Sequence, residues 1–274
     1  MKMLITVPSK GRAYAIDKRT LKWLPDVKSP IQTDWKVFVE PQDYRYYKQT
    51  VPTDHLITLP DNDQGLSYVV KCVREYALKE GYDLVMWLDD DCTGYVRCDG
   101  KDPARNCEAF LSDVLGYFES MPDVGNIGTI DNVSGYMLPV IRKNLNSNNK
   151  ITVGWKPAYS VYIIRAELLT YDLRLKSRID VMVNLGVWAQ GYRTVMYNYT
   201  AMNHEQQTNG GGLNYDHKQR VLDNDAACDI ICEHYPLCVK QFVTADNTRI
   251  GQMARQYGLG GYTSLNLDVY RHKT

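Results

Sequence analysis

The sequence predicts an α/β protein, a single Rossmann-type domain whose mainly parallel, mixed sheet is flanked by helices. Three observations lead there. Short apolar runs alternate with a long helix-periodic stretch over the first 92 residues. The run "DLVMWL" drives straight into three consecutive carboxylates, Asp89, Asp90 and Asp91. Two earlier apolar runs also end in polar, turn-forming or acidic residues, "PSKGR" and "EP", so that three segments gather at the carboxyl ends of the strands, where open sheets of this class bind ligands.

Taken in order, "KMLITVP" is a β-leaning run closed by Pro8, and "SKGRA" is the loop behind it, with a turn at Gly11. "WKVFVEP" is a second strand ended by Glu40 and Pro41, and "HLITLP" a third. In "QGLSYVVKCVREYALKEGY", Leu66, Val69, Val70, Val73 and Leu78 recur at helical spacing and Gly81 stops the helix. "DLVMWL" follows as a buried strand. Further on, "CEAFLSDVLGYFESM" reads as a helix, "GNIGTI" as a strand, and "AYSVYIIRAELL" as a strand turning into a helix. "RIDVMVNLGVWAQG" reads as a helix ended by Gly191, and "YRTVMYNYTAM" as a strand. "NLNSNNK" is an exposed turn, and "NHEQQTNGGGLNYDHKQR" is a polar, glycine-rich loop able to move. With no repeat and no clear linker, the chain reads as one domain over 1–274, in two halves, 1–98 and 99–274.

Composition narrows the function classes. Basic and acidic residues balance at 32 each, so any nucleic-acid surface must be a local patch. Tyrosine outnumbers phenylalanine 21 to 4, which supplies flat apolar rings able to stack on sugars or bases, or simply half-buried core residues. No run is long enough to cross a membrane and the amino-terminal apolar run is too short for a signal peptide. Seven cysteines without a paired framework suit a reducing cytoplasm. "CDIICEHYPLC" has no common zinc spacing, and Cys228 and Cys232 read as one helix face.

Three adjacent carboxylates at the end of a buried strand repel one another unless a cation or solvent compensates them. Hard oxygen ligands in that place point to Mg2+ or Mn2+, ions that bind through one or two carboxylates plus substrate phosphates. The plainer alternative is a solvated loop start or helix cap. "DDDCT" also matches the Asp-x-Asp-x-Thr of haloacid-dehalogenase-like phosphatases, with Asp89 as nucleophile, but those enzymes carry it on their first strand and this chain reaches it only after several elements. A non-catalytic nucleotide-sugar-binding module is a further alternative.

The ordered series of segments resembles the GT-A glycosyltransferases. "DNDQGLSYVVKCVREYALKEGYDLVMWLDDDC" is similar to their helix and Asp-x-Asp strand end, "ITVPSKGRA" to their first strand, and "FVEP" to the acidic end of their second. "AYSVYIIRAELL" and "RIDVMVNLGVWAQGYRTVMYN" resemble their acceptor-side blocks; here Asp180 keeps the second acid of a pair, while Ile179, Met182 and Val187 replace other polar positions. "PSKGR", "DDD" and "HEQQTNGGG" together look like the TET/JBP-associated glycosyltransferases, which modify hydroxymethylated pyrimidines in DNA, often in phage.

That resemblance implies a nucleotide-sugar donor, a UDP-sugar in the first instance, a Mn2+ or Mg2+ cofactor, and a DNA acceptor, with saccharide or other acceptors as alternatives. Asp91 is then the main metal ligand, Asp89 holds metal or ribose, and Asp90 faces the donor. His204 completes the metal shell, with Glu205 competing. Pro8, Ser9, Lys10 and Arg12 meet the nucleotide, and Glu40 hydrogen-bonds ribose or base. Gln64 and Gly65 open the long helix, whose amino end favours anions. Lys218 and Arg220 reach the diphosphate when the glycine-rich loop closes. Asp180 is the general base for an inverting transfer, or else a helix cap.

Overall fold

The computed structural model describes residues 1–97, 101–131, 138–154, 161–204 and 217–235. The first half holds β1 (Lys2–Pro8), β2 (Gln32–Val39), the short α1 (Tyr44–Tyr47), β3 (Leu56–Thr58), α2 (Leu66–Lys79), β4 (Leu84–Trp87) and β5 (Cys92–Val96). There follow α3 (Pro103–Ser120), β6 (Val124–Asp131), α4 (Leu138–Asn146), β7 (Ile151–Gly154), β8 (Tyr162–Arg165), α5 (Ile179–Ala189), β9 (Arg193–His204) and α6 (His217–His234).

One sheet unites them in the order β3-β2-β1-β4-β8-β6-β9-β5, with β7 paired to β9. The β3-β2-β1-β4 part is wholly parallel, and β8 runs antiparallel to β4. The sheet is therefore the mixed α/β arrangement expected. Its two faces are both covered, which explains why β4 reads as an unbroken apolar run rather than an alternating one. Alternation persists in what each side chain meets. Val85 and Trp87 join the core beneath α2, α5 and α6, while Leu84 and Met86 join the core beneath α3 and the 3-10 turns of residues 16–26.

The expected helices and strands form, and several begin or end elsewhere; "NLNSNNK", expected as a turn, begins within α4, which runs to Asn146. β2 starts at Gln32 rather than Trp35. α3 starts at Pro103, because Asp102 accepts from the main-chain N–H groups of Ala104 and Arg105 as its N-cap. β5, β7, α4 and the 3-10 turns were not anticipated; each is short or weakly periodic. The expectation of one continuous loop over 203–220 is corrected: β9 runs to His204 and α6 begins at His217, so Lys218 and Arg220 lie on a helix. Residues 205–216, with Glu205 and the three glycines, lie outside the described residues, as do the side chains of Lys218 and Arg220.

α5 approaches the chain before it through Gly186. A Cβ there would come within 2.5 Å of Thr170 Cγ2, and the Thr170 hydroxyl already donates to Met182 O at 3.1 Å. Alanine is the better helix former by about 1 kcal/mol. Lack of space decides the sign here: Gly186→Ala should destabilise by roughly 1–3 kcal/mol in a urea titration.

A second tie fixes the end of α6. Arg174 and His234 both hold the Asp172 carboxylate, at 2.6 and 2.7 Å, and Arg174 also reaches Glu233 at 2.8 Å. The Arg174 hydrogen bonds, aided by His234, keep the Asp172 carboxyl well below the usual range despite an opposing effect of burial. A depressed folded-state pKa gives stability that is present above the unfolded value of about 4 and lost as pH falls through the folded one. The Tm difference between the protein and Asp172→Asn should therefore be flat at neutral pH and shrink progressively below about pH 4.

Candidate active site

β1, β2 and β4 end together, and the three segments singled out in the sequence meet there. The strand register places Thr6 beside Trp87 and Pro8 beside Phe38, so the loop after β1 lies between Glu40 and the aspartates. Asp90 turns inward and is only 5 % exposed. Ser9 Oγ donates to its Oδ2 at 2.5 Å, and Arg12 Nη1 meets its Oδ1 at 2.5 Å. Tyr47, from α1, extends the chain: its hydroxyl lies 2.5 Å from Ser9 Oγ and accepts from the Arg12 main-chain N–H at 3.0 Å. Burial raises the Asp90 carboxyl pKa; Arg12 and Ser9 pull it back without cancelling the rise.

Ser9, Arg12 and Asp90, expected to touch the donor, thus hold one another and fix the shape of the loop. Removing Arg12 strands a buried carboxylate. Arg12→Ala should cost about 3–5 kcal/mol at neutral pH, and Arg12→Met with Asp90→Asn should recover part of it in the same denaturant titration.

A second cluster lies alongside. Lys10 Nζ sits 2.9 Å from Glu40 and 2.5 Å from Asp63, and Glu40 accepts the Asp63 main-chain N–H at 3.0 Å. Gln42 donates to Glu40 at 2.6 Å. Glu40 is 6 % exposed and is held from three sides. Gln64 is exposed, and Gly65 caps α2 at a φ of 86°, a left-handed conformation that suits glycine.

Asp89 and Asp91 differ from Asp90. Burial lifts the Asp89 carboxyl to about 7, with His204 opposing and Asp91 and Asp90 adding to the rise. Thr20 Oγ1 donates to the Asp89 carbonyl at 2.7 Å. Asp91 is partly exposed and lies 3.1 Å from His204 Nδ1. His204 comes from the far end of β9, where it is the register partner of Cys92. Ligand atoms of Asp91, Cys92 and His204 all lie within 4.8 Å of one another, the grouping among the described residues able to hold an ion. Arg12 Nη1 is 3.5 Å from Asp91, a cation already facing the place where charge gathers.

Asp180 is in the first turn of α5, not at its cap: Arg178 occupies the cap at φ 59°. Burial raises the Asp180 carboxyl, with the Val181 main chain and Arg178 opposing. Burial also pushes up the Tyr162 phenol, and both Asp180 and Asp89 add to that rise, so the helix carboxylate and the strand-end carboxylate act on the same ring. Trp87 stacks on Tyr162 with centroids 6.3 Å apart.

Sequence reasoning missed Tyr47, Thr20, Asp63 and Cys92. Cys92 was adjacent to the aspartates in "DDDCT"; the other three carry no local signal, since only folding brings them to the strand ends. At the C-terminal end, His234 is engaged by Asp172, and Cys238 and the Cys228 side chain lie outside the described residues.

Parallel strands ending in a paired acid cluster, opposed by a histidine from a late antiparallel strand, define a GT-A type glycosyltransferase fold. Solved structures share it, two of them as follows. A mannosyltransferase from Pyrobaculum calidifontis, solved with GDP-Man and Mn2+, matches with TM-score 0.56 and 15 % identity over 86 % of this chain and 64 % of its own. TarS from S. aureus, solved with UDP-GlcNAc, matches with TM-score 0.55 and 16 % identity over 86 % of this chain and 67 % of its own. The chain therefore spans under two thirds of the mannosyltransferase's length. No curated protein matches the sequence. The model of the TET-associated glycosyltransferase family matches residues 3–212, and the chain belongs to that family. That membership favours the glycosyltransferase resemblance of the sequence over the haloacid-dehalogenase-like one. No helix among the described residues is long and apolar enough to cross a membrane.

Proposed function

We propose that the chain moves a sugar from a nucleotide-sugar donor, a UDP-sugar, to the hydroxymethyl group of a modified pyrimidine in DNA, with Mn2+ or Mg2+ held by Asp91 and His204. One observation carries the metal part: Asp91 and His204, 113 positions apart, are brought to 3.1 Å at the ligand-binding edge of the sheet. The residues fit a divalent ion, which would neutralise the departing diphosphate. The fold shared with a Mn2+-bound mannosyltransferase supports that reading. Asp89 lies beside this pair and supports either the ion or the ribose, while Glu40 and Lys10 present a polar wall for the nucleoside.

Asp180 takes the proton of the acceptor hydroxyl as its oxygen attacks the anomeric carbon. The bond from that carbon to the diphosphate oxygen breaks, its electron pair leaves with the nucleoside diphosphate, and configuration inverts. A carboxylate whose pKa is raised by burial is a stronger base than one in water, which supports the role. The family supports a DNA acceptor; an extruded base would need a pocket, and tyrosines and local lysines or arginines would hold base and phosphate. Lys218 and Arg220, at the start of α6, remain candidates for the diphosphate. Residues 1–98 serve the donor and 99–274 the acceptor in this scheme. Four free thiols among the described residues support a cytoplasmic setting.

The test is nucleoside diphosphate release from a panel of nucleotide sugars, with and without Mn2+, in the presence of hydroxymethylated or unmodified DNA. Release that needs the metal and rises only with hydroxymethylated DNA supports the reading. Metal-dependent release stimulated by a saccharide instead would overturn the DNA acceptor and leave the transferase chemistry standing.

A further inference from the structure

We propose that Cys92 is a third protein ligand of the active-site cation, so that the site favours a later d-block ion that accepts sulfur, Co2+ or Zn2+, over Mg2+. This rests on the reading of Asp91 and His204 above. Cys92 and His204 face each other across the antiparallel β5–β9 pair, and residues directly opposite on such a pair share one face. Cys92 Sγ lies 3.7 Å from His204 Nδ1, and Asp91 Oδ1 lies 3.1 Å from the same nitrogen.

Those separations suit a shared ion. Metal–sulfur and metal–nitrogen bonds of about 2.3 and 2.05 Å at a tetrahedral angle put the two ligand atoms ~3.6 Å apart. Nitrogen and oxygen ligands lie about 2.9 Å apart at a right angle and ~3.4 Å at the tetrahedral one, and the observed pair falls between. The cysteine backbone is also fixed. Its N–H donates to Thr20 Oγ1 at 3.1 Å and its carbonyl accepts from Trp23 Nε1 at 3.2 Å. Thr20 also grips the Asp89 carbonyl, so one hydroxyl sets both ends of the acidic turn.

Binding replaces the S–H bond by a sulfur–metal bond and releases the thiol proton to solvent. Sulfur is a poor ligand for Mg2+ and a good one for later d-block ions, which gives the selectivity. The competing explanation is that Cys92 is a small buried side chain that fills the core and binds nothing.

The experiment is a titration of the whole protein with Co2+, followed by the near-ultraviolet thiolate-to-cobalt charge-transfer absorption. The expected result is a band that saturates with one ion, disappears in Cys92→Ser, and disappears in Asp91→Asn. Cys92→Ser should weaken Co2+ binding about tenfold or more and change Mg2+ binding by less than about twofold. Co2+ binding that depends on Asp91 but gives no such band overturns the proposal and leaves the Asp91–His204 site intact. Failure to bind Co2+ or Mn2+ at all overturns both. Should Cys92→Ser not fold, the band is judged on Asp91→Asn alone: a thiolate band that survives that change comes from another cysteine and overturns the proposal.

Discussion

Asp91→Asn should lower kcat/KM by roughly 10²–10³-fold while the fold survives. The substitution keeps the side chain's shape and removes its charge. Asp91 is partly exposed and its carboxylate lies at hydrogen-bond distance from His204, so the loss falls on the cation and not on the core. Without a full charge at that position the ion is held weakly, and the diphosphate must leave with its charge uncompensated. The contrast is Asp90→Asn, one residue away. Asp90 is locked by Ser9 and Arg12, so its loss should appear as a lower denaturation midpoint with a Mn2+ affinity little changed. Isothermal titration with Mn2+ beside a denaturant titration separates the two. Equal Mn2+ affinity in Asp91→Asn and the unaltered protein would remove Asp91 from the site.

Asp180→Asn should lower kcat by about 10²–10⁴-fold and leave donor affinity near its original value. The amide cannot accept the acceptor's proton, yet it keeps the size and shape of the side chain in the first turn of α5. Donor-induced thermal shift in the presence of Mn2+ measures the second part, and single-turnover transfer the first. Donor affinity lost together with turnover would make Asp180 a binding residue. Full activity in Asp180→Asn would move the general base elsewhere and would favour a mechanism that retains configuration.

How far the sequence disclosed this site depends on the range of each signal. Strand ends are local features, and "VMWLDDDC" declared one through an apolar run meeting carboxylates, because burial of both sheet faces removes the alternation that would otherwise blur it. The long helix α2 is equally legible, since Leu66, Val69, Val70 and Val73 keep helical spacing against the core, although Leu78, expected with them, is exposed. The roles within the acidic triplet were not legible. Three identical residues look alike in sequence, and only the partners separate them: Asp90 inward to Arg12, Asp91 outward to His204, Asp89 held at its carbonyl by Thr20. Those partners arrive from 78 and 113 positions away in the first two cases, beyond any periodicity. Ser9 and Arg12 are legible as polar residues after a strand, whereas their hold on the buried Asp90 carboxylate is not. The start of α6 is not legible as a helix because "HKQR" is polar throughout, and a helix of such composition gives no apolar face to detect.

The most direct measurement is a crystal structure with Mn2+ and an intact or non-hydrolysable nucleotide sugar, recorded at the manganese absorption edge. One anomalous peak should lie within coordination distance of both Asp91 and His204, about 2.1–2.3 Å from each ligand atom, and touch the donor diphosphate. A donor bound in the cleft with no manganese between Asp91 and the diphosphate, or with the ion held elsewhere, would contradict it.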